Sequence, residues 1–558
     1  MPACFFPLVL LLGWLVPSPT LAQAPVPRWT MANLAMQHTG HSFPYHHATA
    51  VDEAGNVFTA GMFYDTISFG RHTLRSVGNQ DFYVAKYTPA THTWAWAVRG
   101  GGLAGDNVYG LAVHNGCVYI TGALTNNYAN DNQVTLDSPL PIPQLGAVNA
   151  APSRDMFVAK YFDCGSAALL GWCQVAGGAS LDYATGVAVS GRSVYITGTS
   201  ENTSHHAQGV VFGTTGTLPG LYPQLGTQPI QSSSLVLAKY TDYGFSARFD
   251  WSQVVGGKWG GVGRGVAVHG QCVYMVGDIS SSRNDSTRMY LGGHGRVLGT
   301  AYQYGTSAHF SQSWLLAKYL DLGDHAAFGW SQVAGGDGGS SANCVAVSGH
   351  SVYVCGTIDN DRTDSMHVRF GGSGTVAGTY PAPGLGRRVG LATVLAKYTD
   401  RGPTGTFEWL RTDGRSDFYE STSLVARGPW VYLLARSFFN RTHTRQGIRG
   451  GVRLELGERR RGDPPYEVQD VPYMAGYYDE GPHATLRWVR IFDYRAWLMH
   501  HQRFLALQGS HLYVMGNTVL PARFGYLTLT ASGSDFGFAV AALDLSPALD
   551  AAAERRPR

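Results

Sequence analysis

The sequence predicts an all-β fold, a seven-bladed β-propeller of four-stranded blades whose ring is closed by the N-terminal strand completing the last blade. Three observations predict it. An apolar pentapeptide recurs as VFTAG at Val57, VYITG at Val118 and Val194, VYMVG at Val273, VYVCG at Val352, VYLLA at Val431 and LYVMG at Leu512. Successive starts lie 61, 76, 79, 79, 79 and 81 residues apart, a regularity expected of a repeat architecture. Three companion motifs keep phase with it, so each repeat holds four strands. Finally, the two ends of the chain are complementary, each carrying part of one incomplete repeat.

The elements follow in chain order. Residues 1–24 read as a secretory leader: the apolar run from about Phe5 to Val16 is too short to span a bilayer, and Pro17 and Pro19 break it before the small residues Ala22 and Ala24. Next comes Arg28-Trp29-Thr30-Met31, a tryptophan-bearing strand standing alone ahead of the first repeat. Each repeat then opens on a short strand, ATAV at Ala48, GLAV at Gly110, GVAV at Gly186 and Gly265, and CVAV at Cys344. The pentapeptide is the second strand. The third is DFYVAKY at Asp81, DMFVAKY at Asp155, LVLAKY at Leu235, WLLAKY at Trp314 and TVLAKY at Thr393, with degraded copies at Tyr473 and Phe538.

A fourth strand centres on Trp96, Trp172, Trp251, Trp330, Trp409 and Trp488, and the last repeat ends at its third strand near Leu545. The lone N-terminal strand therefore supplies the missing fourth strand of blade seven, which removes the open edge. Short β-branched and aromatic strands with apolar residues on both faces need a covering sheet on either side, and a closed ring provides one for every blade. The expected domain runs from residue 25 to 545, followed by a disordered tail over 546–558.

Composition fits a large packed β protein. The chain has 558 residues, a net charge of +3, 12% aromatic residues and 71 glycines, about an eighth of the whole. Near-neutral charge argues against nucleic acid as a partner, and no stretch beyond the leader is apolar enough for a transmembrane helix. No HExxH, GxSxG, P-loop or CxxC occurs, and no cofactor motif is present.

From Val51 to Gly122 the run VDEAGNVFTAG, FG, DFYVAKYTP, WAWAVRGGG, GDNVYGLAV and VYITG resembles the bacterial SBBP-type β-propeller repeat family, and weaker copies extend the resemblance over nearly the whole mature chain. Later copies depart from it by replacing the AGN turn with forms such as SGRS. The resemblance implies the propeller fold and an exported or surface location. It implies no reaction and no catalytic residues.

Site candidates lie where the repeat varies. The connections between second and third strands are long and polar, on the same face as those entering each inner strand, which makes that face the expected binding face. At one aligned position before the inner strand the repeats carry Pro44, Asp106, Asp182, Gly261, Ser340, Tyr419 and His500. With Tyr45, Tyr183, Trp259, Arg264 and Asp337 nearby, they describe a polar and aromatic funnel suited to a glycan or protein ligand.

His38, His41, His46 and His47 enter blade one while His500 and His501 enter blade seven, so closure brings two histidine-bearing loops together. Neutral imidazoles ligate transition metals, but no site is assigned: hydrogen-bonded histidines are the simpler expectation, with His46, His47, His500 and His501 as the weak candidates. The run Asp359 to Asp364 lacks the glycine and glutamate of a calcium loop. The arginine-rich insertion holding Arg441, Arg445, Arg449, Arg453, Arg459, Arg460 and Arg461 reads as a solvated loop.

Of the mature cysteines, Cys344 and Cys355 should face each other across two strands, and Cys164 and Cys173 should flank a hairpin; either pair is a candidate disulfide. Cys117 and Cys272 fall in nonadjacent blades. The functional expectation is an exported, monomeric, noncatalytic binding or scaffold protein at the cell surface or in the periplasm, with a glycan or protein as ligand. The alternative is a propeller-type glycoside hydrolase or lyase using Asp106 and Asp182 at the central mouth.

Overall fold

The structure is a computed structural model. It describes residues 27–38, 45–126, 134–137, 153–177, 180–202, 211–212, 232–256, 260–281, 288–293, 296–302, 311–335, 339–358, 367–372, 378–381, 392–412, 423–440, 446–449, 452–455, 468–491, 496–497, 504–519, 522–524, 527–530, 536–547 and 549.

Seven antiparallel sheets follow one another along the chain, each a ladder of inner, second, third and outer strand. Blade 1 is Tyr45–Val51, Val57–Phe63, Asp81–Thr88 and Thr93–Gly101; blade 2 is Asn107–His114, Cys117–Asn126, Ser153–Asp163 and Ala168–Gly177. Blade 3 is Asp182–Ser190, Ser193–Asn202, Ser232–Asp242 and Ala247–Gly256; blade 4 is Gly261–His269, Cys272–Ser281, Ser311–Asp321 and Ala326–Gly335. Blade 5 is Ser341–Ser348, Ser351–Ile358, Ala392–Asp400 and Gly405–Thr412; blade 6 is Ser423–Arg427, Trp430–Asn440, Val468–Asp479 and Ala484–Ile491. Blade 7 is Leu505–Gln508, His511–Val519 and Phe536–Asp544, completed by Arg28–His38.

Seven apolar clusters fill the seven spaces between neighbouring blades, including the one between blades 7 and 1. This is why the pentapeptide is apolar on both faces. In blade 7, Ala539, Ala541 and Leu543 pack toward blade 6 while Phe538, Val540 and Ala542 pack toward blade 1. The inner strands touch their neighbours all the way round and so form the wall of the central channel.

Closure by the N-terminal strand holds, but Trp29 is out of phase with the other tryptophans. Trp251 lies opposite Lys239 on the third strand, three residues before Asp242. The matching pair in blade 7 is Ala32 opposite Ala541, and Trp29 lies opposite Leu543. A bulge between Trp29 and Met31 then turns Trp29 toward blade 6, edge-on to Phe524 at 5.2 Å, and leaves Met31 to face blade 1. Beyond the last strand, Leu549, held by a Leu549 N–H to Leu545 carbonyl bond, packs on the core between blades 6 and 7.

The insertions between second and third strands are not simple open loops. Among the described residues, the insertions of five blades supply strands that pair with the outer edge of the preceding blade. Gln37 of blade 7 pairs with Ser68, Gly100 of blade 1 with Leu136, Ala176 of blade 2 with Phe212, Val255 of blade 3 with Leu291, and Ala334 of blade 4 with Phe370. Each added strand buries an apolar side chain, Phe69, Leu136, Phe212, Leu291 or Phe370. Phe212 also stacks on Phe249 of its own blade at 4.9 Å, so the insertion fastens two blades together. An exposed edge of unpaired N–H and C=O groups invites aggregation, and these strands cover it.

A polar lock joins blades 1 to 6. Lys86, Lys160, Lys239, Lys318 and Lys397, on third strands, each pair with an aspartate ending the third strand of the next blade: Asp163, Asp242, Asp321, Asp400 and Asp479, at 2.6 to 2.8 Å. The outer-strand tryptophan of the lysine's blade donates Nε1–H to the same aspartate at 2.9 to 3.1 Å. At four of the five interfaces Tyr119, Tyr195, Tyr274 or Tyr353 adds its hydroxyl at 2.6 to 2.7 Å. Phe58 replaces the tyrosine at the interface of blades 1 and 2 and lies under the Lys86 ammonium.

The aspartate also accepts the N–H of a glycine two residues on, an Asx turn that suits Gly244 and its relatives because the glycine has positive φ, +93° in this case. Burial alone would push these carboxyls up. Bonds from the lysine, the phenol, the indole and the turn outweigh it and hold Asp242, Asp321, Asp400 and Asp479 below the usual range.

Candidate binding site at the channel mouth

The pentapeptide glycine builds the site. At Gly61, Gly122, Gly198, Gly277 and Gly356 the position a Cβ would take is occupied by an inner-strand carbonyl, that of Tyr45, Asn107, Tyr183, Val262 or Ser341. Only glycine admits that approach, and it lets the inner strand carry an extra residue. The register of each inner strand jumps accordingly, leaving His47, Tyr109, Thr185, Arg264 and Asn343 outside the ladder. Such bulges re-aim a side chain. Blade 6 has Ala435 in place of the glycine, and its described inner strand shows no jump.

Five different residue types thus occupy one structural position on the channel wall. His47 stacks on Tyr109 of the next blade, with rings 5.2 Å apart and 10° from parallel, and Tyr109 meets Tyr183 of blade 3 edge-on at 6.4 Å. Arg264 of blade 4 bonds Asp278 and continues the arc beside Tyr183. Thr185 donates its hydroxyl to the Gly263 carbonyl at 2.8 Å, and Asn343 accepts from Ser341 at 2.8 Å. Tyr109, Tyr183 and Arg264 remain partly exposed.

Electrostatics fix the protonation states. His47 Nδ1 lies 2.6 Å from the Val108 carbonyl, which can only accept, so the proton is on Nδ1 and Nε2 carries the lone pair. Burial pushes its pKa down to about 4 against the raising effect of that bond, so the ring is neutral. Burial also raises the Tyr109 and Tyr183 phenols and keeps them protonated donors.

His46 points away from the arc. Its two nitrogens lie 2.8 Å from Thr49 and Thr59 hydroxyls, its ring packs on Phe504 and Phe538 of blade 7, and burial, with His47 adding to it, holds its pKa well below the usual value. As a satisfied core residue it is withdrawn as a metal ligand. No group of three or more metal-ligating side chains occurs among the described residues.

The two carboxylates expected at the mouth are not open to it. Asp106 and Asp182 are both 0% exposed. Asp106 accepts the Gly102 and Thr125 N–H groups at 2.8 Å each, tying the loop ahead of the inner strand to the second strand, and burial pushes it up to about 7 against those two bonds. Asp182 begins its inner strand opposite Ser200. Trp259, Asp337, Tyr419, His500 and His501 lie outside the described residues, as do Asp359 to Asp364 and Arg441, Arg445, Arg459, Arg460 and Arg461. Arg449 and Arg453 fall in a small hairpin, Gln446–Arg449 with Val452–Glu455.

The hairpin pairing of Cys164 with Cys173 is corrected. Cys164 sits in the exposed turn, whereas Cys173 lies opposite Ala159, well along the strand; the two thiols are separate. Cys344 and Cys355 are directly opposite, as expected.

Fold and site together define a closed seven-bladed propeller with a non-repeating arc on its channel wall. No family model matches the sequence, and no curated protein matches it. Among solved structures it is similar to the extracellular domain of a one-component system from B. thetaiotaomicron, at 6% identity and a TM-score of 0.18 over 91% of this chain and 87% of that one. So faint a likeness carries no argument about this chain.

Proposed function

We propose that the protein is an exported binding or scaffold ring that holds a glycan or peptide across its channel mouth. The observation that carries this reading is the bulge: one position, repeated by the scaffold, varies as His47, Tyr109, Thr185, Arg264 and Asn343 in five successive blades, with Tyr109, Thr185 and Arg264 partly exposed and His47 and Asn343 buried. A structural position would keep one residue type, as the locking lysine does. Stacked aromatic faces beside hydroxyl, imidazole and guanidinium groups suit a ligand with apolar faces and polar edges.

Export rests on the leader sequence, and kinship with SBBP-type repeats on the motifs from Val51 to Gly122. The described residues contain no helix long and apolar enough to cross a membrane. A monomer accords with this reading, since every blade face is covered within the ring. The hydrolase alternative is disfavoured by the burial of Asp106 and Asp182.

A glycan and peptide array run beside a polysaccharide hydrolysis screen tests the proposal. Binding without turnover, lost in Tyr109→Ala while the ring stays folded, is the expected result. Turnover abolished by Asp106→Asn or Asp182→Asn would replace the binding reading with the enzymatic one.

A further inference from the structure

We propose that Cys344 and Cys355 form a disulfide that staples the inner strand of blade 5 to its second strand. The two face each other in register and are 6% and 0% exposed, within the core between blades 5 and 6. The same rung of the ladder in blades 1 to 4 pairs Ala48 with Ala60, Gly110 with Thr121, Gly186 with Thr197 and Gly265 with Val276. The inner-strand member is alanine or glycine each time.

Close approach explains that restriction. A Cβ placed on Gly110 would lie 2.7 Å from Thr121 Cγ2 and 3.2 Å from both Gly186 Cα and Val187 N. This is the rung just after the bulge, where the inner strand is hemmed in by its ladder partner on one side and by the inner strand of the next blade on the other. A disulfide needs Cβ atoms about 3.5–4.5 Å apart, nearer than the roughly 4.5–5.5 Å of an ordinary cross-strand pair. Blade 5 departs from the small-residue rule at this one rung, and it does so with cysteine on both strands.

The bond forms by thiol–disulfide exchange. One cysteine thiolate attacks a low-molecular-weight disulfide and releases one thiol, and the second thiolate then displaces the other. Two protein thiols are oxidised, the donor disulfide is reduced to two thiols, and the protons from the cysteines pass to them. Because Cys355 is sealed once blade 6 docks, exchange belongs to folding rather than to the finished ring. The staple closes only a short loop, and it fixes the bulge that sets Asn343 on the channel wall.

The test is to refold the full chain in a mixed reduced and oxidised glutathione buffer, alkylate it in denaturant without reductant, and cleave at Tyr353 between the two cysteines. The expected product is a pair of peptides joined through Cys344 and Cys355. Recovery of both cysteines alkylated overturns the proposal. In parallel, reductant should lower the melting temperature of the native sequence by a few degrees and leave a Cys344→Ala/Cys355→Ala variant unmoved. That variant copies the Ala48 and Ala60 rung of blade 1 and so has a precedent for folding. Equal responses of the two proteins would also sink the inference.

Discussion

The interfaces among blades 1 to 6 and the two that flank blade 7 solve the same packing problem differently. Across the first five, a buried lysine, tryptophan and usually a tyrosine converge on one aspartate. Between blades 6 and 7, Gly476 stands where the lysine should be. The space that a Cβ at Gly476 would need holds the Trp488 ring, and the buried Trp488 Nε1–H has no hydrogen-bond partner among the described residues. Asp544, in the aspartate position, keeps a bond only from Ser546 N–H at 2.9 Å among those described. Between blades 7 and 1, Ala541, Ala32 and Pro89 replace lysine, tryptophan and aspartate.

The closing blade therefore relies on apolar packing and on its shared strand. Two polar contacts of the repeat survive there among the described residues: the turn bond from Ser546 N–H to Asp544, and the Arg490 bonds to the Pro27 carbonyl at 2.7 and 3.1 Å, as Arg411 donates to Ala484. The difference teaches that burying an ion pair is worthwhile where every member is satisfied. Between blades 6 and 7 the loss of the lysine alone leaves Trp488 and Asp544 in place but unbonded to each other, and between blades 7 and 1, where the register changes, all three members are replaced.

The sharpest way to break this contrast is to remove one acceptor from each class. Asp400→Ala leaves the Lys318 ammonium buried with the Tyr274 and Trp330 donors unanswered, and should cost about 3–5 kcal/mol in denaturant unfolding. Asp544→Ala should cost about 1 kcal/mol or less, since it loses one turn bond. Equal losses would show that the lock carries no special weight. Restoring the lysine by Gly476→Lys should destabilise by roughly 1–3 kcal/mol, because Trp488 already fills its path. A gain in melting temperature would mean that blade 7 lacks the lock for reasons other than space.

Acid should separate the two classes next. His46, packed against blade 7, has its folded pKa below the unfolded value near 6.5, so its unfolded form binds more protons and stability is lost as pH falls below about 6.5. The lock aspartates are shifted below 3.8, so their contribution is intact above that value and is lost only as pH falls through the lower folded pKa values. At pH 5, hydrogen exchange should quicken first in Arg28–His38 and Tyr45–Val51. Earlier loss in blades 3 and 4 would reverse the assignment. Smallest in stability is Tyr109→Ala, a partly exposed wall residue, which should shift unfolding by about 1 kcal/mol or less while abolishing ligand binding on an array.

Blade number, strand order and closure were legible because an apolar pentapeptide in phase with AKY and tryptophan strands leaves little other arrangement. The lock was legible in principle: Lys160 and Asp242 lie 82 residues apart, one repeat and three more, as do Lys239 with Asp321 and Lys318 with Asp400. The bulge was not, since GVAV and VYITG look like uninterrupted strands until the glycine is seen to receive a carbonyl. That slip moved attention to Asp106 and Asp182, polar residues ahead of the strand, and away from His47 and Tyr109 within it. Trp29 misled for a related reason: a one-residue bulge reverses the face a strand residue presents. The added strands were hidden because two or three residues such as Val211 and Phe212 carry too little periodicity to read.

Pairing of Gln37 and His38 with Ser68 and Ile67 bears on the order in which the chain is made. The strand that finishes blade 7 is made before the other strands of the ring, some five hundred residues before its partner Phe536–Asp544. It need not wait exposed, because the insertion of blade 1 follows within a few dozen residues and can take one of its edges. The first strand of the ring thus joins a local sheet that keeps a berth open for the last strand to arrive.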